Sequence, residues 1–234
     1  MKYILCLFFL CVSFKVSAQD THKFILYNIH IVDVESGKIV SGKSVKINNG
    51  RIEAIGKLSR LKAQGFEIIN GKGNYLIPGL WDMHVHIEGE NLVEDNIALF
   101  AVYLAHGITT IRDAASDLGE QVLTFRAEIN EGKRMGPTIY TTEKKLEGLN
   151  SIWKGDLEIS NEAELKQMLD KIDEYQVDFV KITENTLEGP LFLKSVMEAK
   201  KRGYLVSGHV PIDLPIADLA NIGFSSIEHA SYLL

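Results

Sequence analysis

From residue 76 onward, short β-branched and apolar runs alternate with longer stretches of helical periodicity, and no other feature of the chain constrains its fold as tightly. Residues 76–87, 108–113, 137–142, 177–182, 204–210 and 225–230 predict strands. Residues 92–105, 121–131, 189–203 and 213–221 predict helices. A further helix is expected to run to about Tyr175 from a cap at Ser160 or Asn161, with Glu164 three residues after Asn161 in capping-box fashion. Gly107, Gly132 and Gly223 are plausible stops for three of these helices. Strands and helices alternating at this spacing give a parallel sheet with right-handed crossovers, so the expected class is α/β.

The preceding stretch has a different grammar. Between residues 23 and 75, short apolar runs are separated by turns such as Glu35-Ser-Gly-Lys and Asn48-Asn-Gly-Arg, the second a strong hairpin signal. Residues 19–75 are therefore expected to form a small β-structure separate from the α/β region at 76–234. His30 falls on one of its strands and gains no role, nor do His22 and His106.

Residues 1–18 read as a secretory signal peptide: Lys2, an apolar run too short to span a bilayer, then Val-Ser-Ala with cleavage expected after Ala18. Export to the periplasm or the exterior is the expectation. Both cysteines, Cys6 and Cys11, lie in this segment, so the mature chain would carry neither a disulfide nor a thiolate ligand. A net charge of −6 without basic clusters argues against nucleic acid and anionic membranes as partners and leaves a small molecule.

Chemistry enters at His84-Val85-His86. Strand side chains alternate, so two histidines at i and i+2 share a face and can hold one divalent ion. Lys181 sits inside an apolar run, Val-Asp-Phe-Val-Lys-Ile, where an ammonium would ordinarily reach for solvent. His209 and His229 fall at the ends of the two following strands, positions where a lone histidine is most often ordinary. Taken singly, none of these identifies a site.

Their sequence context does. The run Pro-Gly-Leu-Trp-Asp-Met-His-Val-His, ending at His86, resembles the first barrel strand of the amidohydrolase superfamily. The settings of Lys181, of His209 after Ser-Gly, and of His229 in Ile-Glu-His-Ala resemble that family's later signatures, in the same order. The resemblance, closest to members related to imidazolonepropionase and the amidohydrolase-type dipeptidases, implies a (β/α)8 TIM-like barrel beside a β-sandwich. It implies two divalent ions, zinc by default, on His84, His86, Lys181 as a carbamate, His209 and His229. The reaction implied is hydrolysis of amide, cyclic-amide or dipeptide carbon–nitrogen bonds by a metal-bridged hydroxide.

About six barrel strands are expected here, with the barrel truncated before strands seven and eight, and residues 19–75 forming the N-terminal part of the sandwich. The family's general-base aspartate belongs to the eighth strand and is expected beyond Leu234, so the chain is expected to be an inactive part of a longer enzyme. Asp113 is not promoted to that role. Tyr140, Lys144 and Lys145, just after the third strand, sit where substrate-contacting loops would lie, and all three are expected to be exposed and solvated. Two other readings stay open: a one-metal, deaminase-like enzyme in which Lys181 is structural, and a non-catalytic binding chain.

Overall fold

The alternation divides the chain after Pro78 into two units of different construction, in a computed structural model that describes residues 23–233. The signal-peptide reading and its two cysteines lie outside the described residues.

The first unit is one four-stranded sheet. β1 (Lys23–Asp33), β2 (Lys38–Asn48), β3 (Arg51–Gly56) and β4 (Glu67–Leu76) lie in the order β3-β2-β1-β4. The β2–β3 hairpin turns at Asn49-Gly50, both residues with positive φ (52° and 71°), the conformation a two-residue type I′ turn requires. Ile25, Ile29 and Val45 are buried on the sheet. Lys46 joins them by pairing with Glu53 at 3.0 Å and laying its ammonium 4.1 Å from the Phe66 ring centroid.

The second unit carries the strand–helix alternation. Its elements are β5 (Leu80–Val85), α1 (Val93–Ala105), β6 (Ile108–Asp113), α2 (Glu120–Asn130), β7 (Thr138–Thr141), β8 (Leu146–Glu147), β9 (Leu157–Glu158) and α3 (Glu162–Tyr175). β10 (Val180–Ile182), α4 (Gly189–Lys201), β11 (Val206–Gly208), α5 (Ile216–Asn221) and β12 (Ser226–Ile227) complete it. Every strand pair in this unit is parallel, in the orders β5-β6-β7 and β12-β11-β10-β8-β9. The two sheets meet where Asp178 N donates to Thr141 O (2.9 Å) and Lys181 N donates to Thr142 Oγ1 (3.0 Å). β5, β6, β7, β10, β11 and β12 thus follow one another as an incomplete barrel.

Helical periodicity explains the outer layer. Leu165, Leu169 and Ile172 are spaced along one face of α3 and pack with Phe192 and Val196 of α4 over β10 and β11. A second cluster, Phe100, Ile111, Val122, Phe125 and Ile139, binds α1 and α2 to β6 and β7. Each such side chain contributes about 1.5–3 kcal/mol of burial. Asn161 is the cap of α3, its side chain accepting from Ala163 N and Glu164 N at 3.0 Å. Glu164 reaches back one residue further than a capping box requires, accepting from Ser160 N at 2.7 Å.

The strands that end in site residues are shorter than the sequence suggests. The ladder covers Val206–Gly208 and Ser226–Ile227, and His209 and His229 stand beyond it. His229 has φ 66°, which ends strand geometry and turns the chain outward. At Gly208 an added Cβ would lie 1.8 Å from Ile182 O, so glycine is what allows β11 to approach β10 this closely. α5 begins at Ile216, later than expected, because Pro215 holds the preceding residues extended. Among the described residues no helix is long and apolar enough to cross a membrane.

Candidate metal centre

β5 ends at Val85, and the two histidines around it take different partners. His84 Nδ1 lies 2.7 Å from Glu228 Oε2, and His86 Nδ1 lies 2.9 Å from Ala115 O. A carbonyl only accepts, so His86 Nδ1 carries the hydrogen. Burial pushes the Glu228 carboxyl up, but the hydrogen bond with His84 and the charge of Arg112 together outweigh it and hold it at about 2. Glu228 is therefore ionised, and His84 Nδ1 donates to it. With both Nδ1 atoms occupied in this way, the Nε2 atoms are the ring nitrogens left to meet a ligand. The two Nε2 atoms face each other at 3.1 Å. At that distance the pair can share a proton or hold a metal ion, and two imidazole nitrogens converging with their Nδ1 atoms already occupied are a donor set that fits a divalent ion.

The other predicted residues gather beside this pair. The His229 ring lies 4.8 Å from that of His84 and 5.1 Å from that of His209, centroid to centroid. His209 Nδ1 lies 2.9 Å from Glu184 Oε2, and its buried Nε2 has no hydrogen-bond partner among the described residues. A buried nitrogen without a partner suits a ligand role. Lys181 is 2% exposed and shares a cavity of about 500 Å³ with His86, His209 and His229. Burial pushes its amine down to about 8, against the pull of Glu228. Burial likewise lowers His86 and His229, aided by neighbouring positive groups, which favours the neutral form that binds metal. The structure thus brings together all five residues singled out from the sequence. Among the described residues, no three His, Cys, Asp or Glu side chains already converge at ligating distance.

Residues that local sequence did not mark hold this arrangement. Arg112, on β6, donates from Nε to Met83 O (2.8 Å), from one terminal nitrogen to Ser226 Oγ (3.2 Å) and from the other to Glu228. One guanidinium thus ties β5 and β12 to the carboxylate that orients His84. Asp113 accepts from Ile87 N at 2.9 Å and from Thr141 Oγ1 at 2.6 Å, fixing the chain just past His86. Asp82 accepts from His84 N at 3.2 Å.

Three expectations need correction. Lys145 is buried rather than solvated, its Nζ 3.0 Å from Asp156 Oδ2, a pairing that offsets the cost of burying the ammonium. Lys144 is half-buried. Tyr140 is exposed as expected, but it lies within β7, not after it, and stacks on Trp81 at 5.2 Å between centroids.

Full burial raises Asp113 to about 7 from the ordinary 3.8, despite its two hydrogen bonds. A carboxyl raised on folding contributes stability that is complete below about pH 4 and is lost as pH rises through 7. Asp113→Asn keeps an acceptor for Ile87 N and removes the titration. The difference in urea midpoint, variant minus wild type, is expected to grow in the variant's favour from pH 5 to pH 8. Parallel pH dependences for the two proteins would refute this.

Comparison with known proteins gives both sequence and structural relatives. A curated adenine deaminase from Listeria welshimeri is 26% identical over 232 residues, covering 88% of this chain and 35% of that protein. The crystal structure of an Xaa-Pro dipeptidase with bound methionine in the active site matches with TM-score 0.74 and 20% identity, over 90% of this chain and 62% of that one. That of an amidohydrolase matches with TM-score 0.73 and 20% identity, over 88% and 60%. No family model matches. The chain spans about a third of the length of the curated relative.

Proposed function

We propose that the chain is part of an amidohydrolase-type enzyme that hydrolyses carbon–nitrogen bonds of small amide, cyclic-amide or dipeptide substrates, a reading supported by its sequence relatives and its fold. The observation that carries the reading is the convergence of His84 Nε2 and His86 Nε2 to 3.1 Å while the Nδ1 of each ring is held by Glu228 and Ala115 O. His84 and His86 would hold one divalent ion and His209 and His229 a second, with Lys181 as a carbamate between them. Zinc suits this nitrogen-rich set. Bound there, such ions supply Lewis acidity and activate water near neutral pH.

The chain's own residues do the positioning. Glu228 receives the His84 Nδ1 hydrogen and Ala115 O that of His86, which keeps both Nε2 atoms available. Asp113 is occupied by Ile87 N and Thr141 Oγ1, which keeps it from serving as general base. The apolar run before Ala18 supports export, with the reaction taking place in the periplasm or outside the cell.

A second reading is favoured by the curated relative, which is an adenine deaminase. In it one ion suffices and Lys181 is structural. The test is incubation of the zinc-loaded intact enzyme of which these residues are part with a panel of dipeptides, N-acyl amino acids and adenine, with free amino acids and ammonia quantified by mass spectrometry and an enzymatic assay. The proposal expects amino acid release. Ammonia from adenine with every amide intact would replace it by the second reading.

A further inference from the structure

We propose that Lys145 makes this cavity a site for substrates that carry a carboxylate, docked on the lysine ammonium in the cavity it shares with the histidines. The inference rests on the reading of the cavity as the active site and deepens it by naming the substrate class. Lys145 follows β7 and lines the same cavity of about 500 Å³ as His86, Lys181, His209 and His229. Its side chain is only 7% exposed, with Nζ 3.0 Å from Asp156 Oδ2 and 3.3 Å from Thr183 Oγ1. An ammonium has three hydrogens, and Asp156 and Thr183 account for two of them.

A buried ion pair is weak evidence of stability, because a well-packed apolar pair of similar volume usually serves as well. Its place on a cavity wall gives it another use. Asp156 is held in turn by Ser151, so the ammonium is oriented before any ligand arrives. The loop that carries Asp156 also presents Ile152, 76% exposed, and Trp153, 54% exposed, to the cavity. With Leu92 they form an apolar wall beside the Lys145 ammonium, which lies 5.8 Å from the Trp153 ring centroid. A molecule that places an apolar body on that wall and a carboxylate on Lys145 presents its amide to the histidine side. N-acyl amino acids and short peptides have that form. A neutral purine base offers Lys145 no anionic partner.

The test is calorimetric binding of a matched pair, N-acetylleucine and N-acetylleucinamide, to the purified zinc-loaded protein, with metal content measured on the same samples. The acid is expected to bind at least about tenfold more tightly, as a charge-assisted hydrogen bond implies. Lys145→Met should abolish the preference and leave the metal content unchanged. Asp156→Asn, which removes the competing carboxylate, should increase it, and this variant decides the matter should Lys145→Met fail to fold. Equal binding of the two ligands, binding of neither, or a preference that survives Lys145→Met would overturn the inference. Protein that takes up no metal yet keeps a Lys145-dependent preference would defeat the hydrolase reading alone.

Discussion

Lys181→Ala lowers the metal content of the loaded protein from two ions to one. The expectation follows from where the amine sits. An ammonium 2% exposed among three imidazoles would cost several kcal/mol to keep charged. Burial accordingly pushes its pKa down to about 8, which leaves a usable neutral fraction near pH 7. A neutral amine can take up carbon dioxide, and the resulting anionic oxygens give a second ion the negative charge that four neutral histidines lack. The neutral fraction rises with pH, so uptake of the second ion by the wild type should increase between pH 6 and pH 9, and alanine should abolish that dependence. Metal content is read by plasma mass spectrometry. A single ion in both proteins, at every pH, would leave Lys181 a structural residue and favour the deaminase reading.

Glu228→Ala carries the second large effect, on stability as well as on metal. Glu228 is 3% exposed and joins His84, Arg112 and Ser226 in one network. Removing the carboxylate strands a guanidinium whose side chain is 14% exposed, and breaking a buried pair in this way costs about 3–5 kcal/mol. It also frees His84 to choose its tautomer, for which about a 10–100-fold loss of metal affinity is expected. The pH dependence has a definite sign. A carboxyl held at about 2 rather than 4.5 contributes stability that is present above about pH 4.5 and lost as pH falls towards 2. The urea-unfolding deficit of the variant should therefore be full at pH 7 and shrink below pH 4. A deficit under about 1 kcal/mol at pH 7, with unchanged metal affinity, would show that the network does not orient His84.

The elements most legible in sequence were those whose signals are local. The cap at Asn161 and the Leu165, Leu169, Ile172 stripe are properties of neighbouring residues, and so is the Asn49-Gly50 turn. β6 follows its alternation over Ile108–Asp113. The five proposed ligands were legible through motif resemblance, and the structure brings them into one neighbourhood. What escaped depends on contacts between distant segments. Glu228 reaches His84 across 144 positions and Arg112 across 116, and no spacing rule encodes either contact. Lys145 looked like any loop lysine because Asp156, its partner, is recruited by the fold. β8 and β9, two residues each, are too short for periodicity to register.

The central claim, that these five residues form one metal centre, is tested most directly by anomalous diffraction at the zinc edge from crystals of the zinc-loaded protein. The account predicts one peak about 2.0–2.1 Å from Nε2 of both His84 and His86 and a second at similar distance from nitrogens of His209 and His229, with density for a carbamate on Lys181 between them. Protein that binds no zinc under these conditions, or zinc bound away from His84 and His86, would contradict it.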